Sequence, residues 1–185
     1  MDVLLKARLL KHSLSLHTMI TMENQIKMEQ VRGKQVAIVA ADGVDESSLF
    51  KMKSALEEKG LQTKIISTQQ GAINSSKGKQ IKVDQNFVTT FPVDFDAVYV
   101  PGGEDSIFAL QMEPGVIRFI NDAYKSSKPI AVDGEGEELL YITAAGSELN
   151  NGKAEGIFVN RTSRDFVKAI SQQDVWQGDK HRISA

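Results

Sequence analysis

The 185 residues contain no cysteine, and this absence removes several kinds of chemistry at once. A chain without thiols makes no disulfides, offers no thiolate to a metal and has no cysteine nucleophile. Histidine is nearly as scarce. His12, His17 and His181 lie in the terminal segments, and no imidazole occurs between Thr18 and Lys180. The body of the chain therefore lacks the side chain that most often acts as a general base near neutral pH.

Long apolar runs and clusters of basic residues are also missing. No run approaches the roughly 20 apolar residues that a membrane-spanning helix needs, so we expect no membrane partner. The formal net charge is -2, with 22 Lys and Arg against 24 Asp and Glu, and no basic stretch predicts contact with nucleic acid. Because nothing in the composition demands an oxidising compartment, we expect a cytoplasmic protein.

Residues 1–30 differ in composition from the rest of the chain. They contain neither Gly nor Pro, and Lys6, Arg8 and Lys11 lie among leucines. A basic, acid-poor start of this kind occurs in transit peptides, but a linker left from a longer protein, or a misread start, accounts better for the composition. We therefore divide the chain into a tail or linker, residues 1–32, and one domain, residues 33–185.

Short apolar stretches alternate with amphipathic ones from Lys34 onwards. Strands are predicted in "KQVAIVAADGVD", "QTKIIST", "FDAVYVPGG", "KPIAVD" and "KAEGIFVN", and a hairpin around Gly78. Helices are predicted in "ESSLFKMKSALEEKG", "EDSIFALQM", "PGVIRFINDAYKS", "EELLYITAAG" and "SRDFVKAISQQ", with "DVWQGDKHRISA" as a tail. This alternation predicts an α/β fold of flavodoxin-like type, in which a doubly wound, mostly parallel sheet has helices on both faces.

Functional loops of such sheets lie at the carboxyl ends of the strands. Three of these loops are candidates here: Ala41–Glu46, Pro101–Ser106 and Asp133–Glu137. The glycines at Gly102-Gly103 and at Gly134 and Gly136 allow tight turns and the close approach of a ligand. Amides at a helix start can bind an anion or a developing oxyanion. Tight packing of strand against helix explains the same glycines, so both interpretations remain open.

Carboxylates crowd this predicted edge of the sheet. Paired carboxylates can share acid and base roles or bind a hard metal ion, but acidic residues at helix starts are also what the helix dipole favours. We favour the structural interpretation, with no metal and no catalytic residue. The carboxylates are Asp42, Asp45, Glu46, Asp133, Glu135, Glu137 and Glu138.

Nucleotide sites and a serine nucleophile are not supported by the motifs. The stretch "GEGEEL" lacks the third glycine of a dinucleotide fingerprint and has a glutamate where a pyrophosphate would need neutral backbone. No Gly-Lys-Ser/Thr of a P-loop occurs. The first loop, "ADGVDESS", is acidic and would repel the phosphate of a flavin. Ser47, Ser48 and Ser106 have no histidine that could activate them.

Four stretches together resemble a known family. "VAIVAADGVD", "FDAVYVPGGEDS", "AYKSSKPIAVDGEGEELL" and the ending "VWQGDKHRISA" are similar to the C-terminal flavodoxin-like domain of large-subunit haem catalases. That domain belongs to the PfpI/ThiJ, or class I glutamine amidotransferase-like, superfamily. The resemblance covers about residues 33–185. The Pro-Gly-Gly-Glu-Asp turn, "KPIA" and the Trp-bearing tail favour the catalase subgroup over the wider superfamily.

The resemblance implies a degenerate active site. Enzymes of the superfamily carry a Cys, a His and a Gly on the turn after the "KPIA" strand, called here the elbow, and these positions fall on Gly134, Glu135 and Gly136. Their acidic partner falls on Ser48, with Asp45 as the nearest carboxylate one turn earlier. Nucleophile, neighbouring histidine and acid are thus all replaced. We expect an elbow with a pocket beside it, formed by Ser48, Asp45, Gly102, Gly103, Gly134, Glu135 and Gly136.

The haem chemistry of such catalases is expected elsewhere. They resemble one another in using a distal His, an Asn and a proximal Tyr within a large β-barrel domain, and no such barrel is predicted here. Tyr99, Tyr124 and Tyr141 fall on strand or helix faces and are expected in the core. We therefore expect no cofactor, because haem would belong to a missing catalase core. The expected partners are that core or further copies of the chain in a homo-oligomer.

Three functions follow, the first of which we prefer. The chain is a non-catalytic, stabilising accessory domain cut from, or paralogous to, a large catalase whose activity is hydrogen peroxide dismutation. Alternatively it is a free-standing PfpI/ThiJ-like enzyme or small-ligand sensor that uses the carboxylate-lined elbow. The third possibility is a self-associating, chaperone-like module.

Overall fold

The structure is a computed structural model that describes residues 21, 22, 29, 31–150 and 155–182. The interpretation of residues 1–30 as a linker or a leader falls outside the described residues, apart from three positions. The core of the domain includes Val31, whose side chain is fully buried. Within the described residues no helix is both long and apolar enough to cross a bilayer.

A parallel sheet of six strands forms the centre of the described domain, in the order β5-β2-β1-β6-β7-β8. All five neighbouring pairs run parallel. A separate antiparallel hairpin, β3 with β4, turns at the predicted position around Gly78. The strands are β1 Gln35–Val39, β2 Gln62–Ser67, β3 Ala72–Asn74, β4 Gln80–Lys82, β5 Gln85–Asn86, β6 Ala97–Val100, β7 Ile130–Val132 and β8 Ile157–Val159.

Helices cover both faces of the sheet, as the predicted fold class requires. They are α1 Glu46–Glu57, α2 Glu104–Gln111, α3 Pro114–Lys125, α4 Gly136–Tyr141, α5 Ala144–Asn150 and α6 Ser163–Arg182, with a short 3-10 helix at Pro92–Asp94. Side chains of β1 alternate between two apolar clusters because successive strand residues point to opposite faces. Ile38 packs with α1 and α6, and Val39 packs with α2, α3 and α4. The flavodoxin-like prediction is therefore confirmed.

Two predicted boundaries are wrong. The stretch "EELLYITAAG" forms two helices, because Thr143 donates its hydroxyl to the Leu140 carbonyl at 2.7 Å and Asn121 accepts the amide of Ala144. A side chain that bonds the backbone in this way competes with the helical ladder. The predicted tail after the last helix is also wrong in its first part, since α6 continues to Arg182.

The expectation that all three tyrosines lie in the core fails for Tyr141. Tyr99 is fully buried, Tyr124 is half-buried, and Tyr141 is 49% exposed at the end of α4. Its hydroxyl lies 2.6 Å from Glu137 Oε1 on the same helix face. Residues four apart on a helix are neighbours, so this tyrosine stays at the surface with a polar partner.

The close approach of α4 and α5 yields a first prediction. A Cβ on Gly146 would overlap the Leu140 carbonyl oxygen and lie 2.6 Å from the Tyr141 Cα. Gly146→Ala is therefore expected to lower the free energy of unfolding by about 2 kcal/mol or more, as overpacking does. Urea denaturation measures the change.

Gly115→Ala in α3 is the matched control. Its Cβ would find only ordinary contacts, the nearest at 3.5 Å from Phe87 Cβ, and alanine has the better helix propensity. We expect an unchanged or slightly raised stability. Equal losses in both variants would contradict the crowding between α4 and α5.

Candidate functional site

The three candidate loops meet at the carboxyl edge of the sheet. The Asp45 amide donates to the Gly102 carbonyl at 2.8 Å, which joins the first loop to the second. The Gly103 amide donates to Glu135 Oε2 at 2.9 Å, which joins the second loop to the third. This follows from topology, because β1, β6 and β7 are adjacent and parallel and so end on the same edge.

The start of α1 positions Ser48. Asp45 is the N-cap and accepts from the amides of Ser47 and Ser48 at 3.3 and 2.9 Å, the arrangement that satisfies a free helix start. Ser48 Oγ then accepts the amide of Gly102 at 3.0 Å. Ser48, at the expected acid position, and Asp45, the carboxylate nearest to it, therefore both accept hydrogen bonds from backbone amides of the site.

Tyr99 lies beneath Ser48 on β6. Its Oη is 2.7 Å from Asp133 Oδ2 and 3.3 Å from Ser48 Oγ. A carboxylate only accepts, so the tyrosine hydroxyl donates to Asp133. Burial, reinforced by the bond to Asp133, raises the pKa of Tyr99 far above its ordinary value, although the Ser48 hydroxyl opposes the shift. The phenol therefore stays neutral and acts as a fixed donor.

The elbow has the sharp geometry that its sequence indicates. Gly134 has φ of +53°, in the left-handed region that side chains disfavour. Its amide donates to Asn160 Oδ1 at 2.8 Å, from the residue that follows β8. Gly136 begins α4 so close to β6 that a Cβ would lie 3.0 Å from the Val100 carbonyl oxygen. Gly134 thus has a backbone conformation that favours glycine, and Gly136 has little room for a side chain.

Glu135 lies on the elbow, and its side chain supplies a carboxylate anion that belongs to the protein. Its carboxylate accepts the Gly103 amide, and this backbone hydrogen bond lowers the pKa of Glu135 below the ordinary value of 4.5. A Cβ on Gly102 would lie 2.9 Å from Glu135 Oε2, so the glycine leaves room for the carboxylate. A side chain thus occupies the backbone donor that an external anion would use.

An open cleft of about 580 Å³ lies beside the elbow, between the starts of α1 and α6. Asp45 and Asp133 contribute negative charge to its lining, and Lys51 and Arg161 contribute positive charge. Ser48, Asn160, Thr162 and Ser163 add neutral polar groups. The cleft is therefore polar and of mixed charge.

The arrangement offers little for catalysis. The amides of Gly102, Gly103 and Gly134 each donate to a side chain of the protein, namely Ser48, Glu135 and Asn160. No amide among these three is left for an oxyanion. In the part of the chain that the structure describes, no three His, Asp or Glu side chains are grouped to hold a metal ion. The Tyr99 hydroxyl is engaged with Asp133 and is not free for another ligand.

The structure brings together every residue expected at the elbow: Ser48, Asp45, Gly102, Gly103, Gly134, Glu135 and Gly136. Two carboxylates of the first loop and the start of α1 have partners on the β3–β4 hairpin. Asp42 accepts from the Asn74 amide at 2.7 Å, and Glu46 pairs with Lys79 at 2.9 Å.

Sequence reasoning missed two contributors to the site, the Tyr99 hydroxyl and Asn160. Tyr99 was assigned to the core by its position in an apolar strand. Asn160 could have been predicted from its position, because it directly follows a strand, at the edge of the sheet where functional side chains of such folds meet.

The fold is similar to that of solved ThiJ/PfpI and DJ-1 proteins. A ThiJ/PfpI domain protein from Brachyspira murdochii matches 77% of this chain and 96% of its own, with a TM-score of 0.60 and 20% identity. DJ-1beta from Drosophila melanogaster matches 76% of this chain and 90% of its own, with a TM-score of 0.63 and 17% identity. At such identities the likeness shows the fold alone.

The sequence assigns the family within that fold. The model of the C-terminal domain found in long catalases matches residues 32–176, and the chain belongs to that family. Catalase HPII from Pseudomonas aeruginosa is 29% identical over 80% of this chain, and a deglycase from Thermococcus kodakarensis is 26% identical over 57% of it. The chain spans 20% of the length of that catalase and 63% of the deglycase.

The buried tyrosine gives the second prediction. Tyr99→Phe removes the donor to Asp133 and leaves Ser48 Oγ without its neighbour. Because the lost hydrogen bond has a charged acceptor, we expect a loss of about 1–3 kcal/mol in the free energy of unfolding, measured by urea denaturation.

Tyr141→Phe, measured in the same way, is the matched control. It loses a hydroxyl bond at the surface, and we expect a clearly smaller change than for Tyr99→Phe. Equal effects would show that the Tyr99–Asp133 bond contributes nothing special.

The Glu135 carboxylate gives the third prediction, a pH dependence. Its pKa is lowered in the folded state, so its stabilisation is present above about pH 4.5 and is lost as pH falls through the folded pKa. We expect wild type to exceed Glu135→Gln in stability by less than about 1 kcal/mol at neutral pH, since the group is exposed to solvent. Denaturation at several pH values should show the difference vanish in acid. A difference that persists there would contradict the assignment.

Proposed function

We propose that this chain is a non-catalytic accessory domain that stabilises a long catalase through contacts with a catalase core or with further copies of itself. The activity it would serve is hydrogen peroxide dismutation, carried out by the core and its haem. We place this function in the cytoplasm. The domain would comprise the predicted residues 33–185 together with Val31 and Arg32, because Val31 is buried in its core, and the residues before Val31 would be its linker.

One observation carries the proposal: the elbow retains its geometry, while its donors bind the protein's own side chains. In an enzyme that stabilises an oxyanion, preorganised amides point at the reacting group. Here Glu135 occupies the Gly103 amide and Asn160 occupies the Gly134 amide. Substrate would have to displace a carboxylate to reach the first of these donors.

The residues at the superfamily's reactive positions support the same conclusion. The Cys position falls on Gly134, which has no side chain to attack with, and the His position falls on Glu135. The acid position falls on Ser48, which accepts from Gly102. Nucleophilic catalysis needs a nucleophile, a base and a group that orients the base, and each of these three roles lacks its residue at the elbow.

Turnover assays test the non-catalytic part, which is the fourth prediction. The purified chain is assayed for glyoxalase, deglycase, peptidase and peroxide-dismuting activity, and we expect none above the uncatalysed rate. Turnover that is lost in Glu135→Ala but kept in Glu138→Ala would overturn the proposal. Glu138 is the matched control because it is an exposed glutamate on α4.

The genomic DNA upstream of the Met1 codon tests the accessory part. An in-frame haem-catalase core there, or a catalase gene in the same transcript, would support the proposed role. Its absence from both places would remove the partner that the role requires.

A second candidate, a small-ligand site in the elbow cleft, has one observation in its favour. The cleft of about 580 Å³ presents charges of both signs beside Ser48 and Asp133, and the deglycase relative covers part of the same chain. A ligand that binds only the folded state raises the melting temperature. A melting screen against aldehydes, amino acids and divalent metal ions therefore tests it, and no shift with any of them would remove it.

A further inference from the structure

β8 is the outermost strand of the described sheet, and β7 is its neighbour on one side. The Gly156 carbonyl accepts a hydrogen bond from β7 at 2.8 Å, and the Asn160 amide donates to β7 at 2.9 Å. The backbone groups of successive strand residues point to opposite sides of the strand. Ile157 and Val159 therefore direct their N–H and C=O groups away from β7, towards the open edge.

These outward backbone groups are unpaired within the part of the chain that the structure describes. Neither Ile157 nor Val159 has a backbone hydrogen bond to any described segment outside the sheet. Exposed strand edges are templates for another strand, and proteins usually guard them with charged side chains, Pro or bulges. β8 is short, but its three residues are all apolar and include no Pro. Its edge can therefore accept a further strand.

A groove of about 440 Å³ runs beside this edge, between β8 and α6. Phe158 faces α6, where its ring lies 6.1 Å from that of Phe166. Ala169 has a small side chain, which leaves room above the strand. The wall on α6 recurs at helical spacing and consists of Asp165, Lys168, Ala169 and Gln172. Side chains of an added strand that point towards α6 would lie in this groove.

The groove carries more positive than negative charge. Arg161 and Lys168 line it, and neither lies within ion-pair distance of a carboxylate of the described residues. Its one lining carboxylate, Asp165, already accepts from the Thr162 hydroxyl at 2.8 Å. Two cations without ion pairs favour an occupant that carries carboxylates.

We propose that the open edge of β8 binds an extended, acidic segment of a partner polypeptide. The segment adds to the sheet as a further strand, and its carboxylates pair with Arg161 and Lys168. The inference deepens the accessory function and rests on it for the source of the segment, which is the catalase core. The N-terminal residues of this chain are a poor occupant, because Lys6, Arg8 and Lys11 make them basic.

Fluorescence anisotropy with the full chain tests the charge preference, as the fifth prediction. The probes are a labelled acidic peptide, TVEVEVT, and its basic counterpart, TVKVKVT. We expect saturable binding of the acidic peptide with a Kd below about 1 mM, which suffices for a tethered segment at millimolar effective concentration. The basic peptide should bind at least about tenfold more weakly, and added salt should weaken the acidic peptide.

A charge reversal in the groove locates the binding site. Lys168→Glu should weaken the acidic peptide about fivefold or more, because it replaces an attraction by a repulsion. Lys59→Glu is the matched control, since Lys59 is also exposed but does not line the groove. It should leave the affinity unchanged. Both side chains are exposed, so both variants should melt like wild type.

N-methylation of the peptide tests the backbone pairing itself. Alternate amides of a strand point to opposite sides, so one peptide is methylated at odd positions and the other at even positions. We expect one of the two to lose binding at least about tenfold and the other to keep it. Hydrogen exchange of the Ile157 and Val159 amides should slow when the unmodified acidic peptide is bound.

Four results would overturn the proposal. They are no saturable binding of the acidic peptide, equal binding of the acidic and basic peptides, equal losses from both methylation patterns, and slower exchange of Ile157 and Val159 on raising the protein concentration without peptide. The last result would assign the edge to a second copy of the chain. None of these results depends on turnover or on the upstream gene, so failure of the edge site is distinguishable from failure of the accessory function.

Discussion

Glycine-rich turns bring backbone amides to the carboxyl edge of the sheet, and the rest of the site depends on which side chains accept from them. The Gly102 amide is buried, where an unpaired amide costs about as much as a lost hydrogen bond, whereas Gly103 is half-buried and Gly134 is exposed. Ser48, Glu135 and Asn160 supply the three acceptors from three different elements. Tyr99 then fixes Ser48 and Asp133 from below. The network ties α1, β6, β7 and β8 together at the carboxyl edge of the sheet, where ligands of doubly wound folds bind.

Much of the fold could be predicted from the sequence, because it follows from local periodicity. Leu49, Met52 and Leu56 recur at helical spacing, and all three are buried on one side of α1. The glycines of the elbow marked the turn, and the order of strands and helices placed the three loops on one edge. The partners within that edge could not be predicted in the same way. Tyr99 and Asn160 reach the site only through the pairing of β6 with β7 and of β7 with β8, which is long-range information. Tyr141 was misplaced because an aromatic residue at the end of a short helix resembles a core residue in sequence.

The backbone geometry of the elbow is present without the side chains that catalysis would need. Gly134 adopts a left-handed turn and Gly136 lies against β6 because the chain must pass directly from β7 into α4. The close packing of Gly136 against Val100 involves no catalytic side chain, so this part of the geometry does not depend on a nucleophile. A fold that hosts enzymes in some relatives can therefore serve as a contact module in others.

The central claim is that the amides of the elbow are occupied by the protein's own side chains. Titration of the 15N-labelled protein with acetate, followed at the amide signals of Gly103 and Gly134, tests it most directly. The account predicts no saturable shift at either amide in the wild-type protein at neutral pH, because Glu135 and Asn160 already accept their protons. A saturable shift at both signals would contradict it, since it would show that the elbow binds an external anion and keeps the donors that catalysis needs.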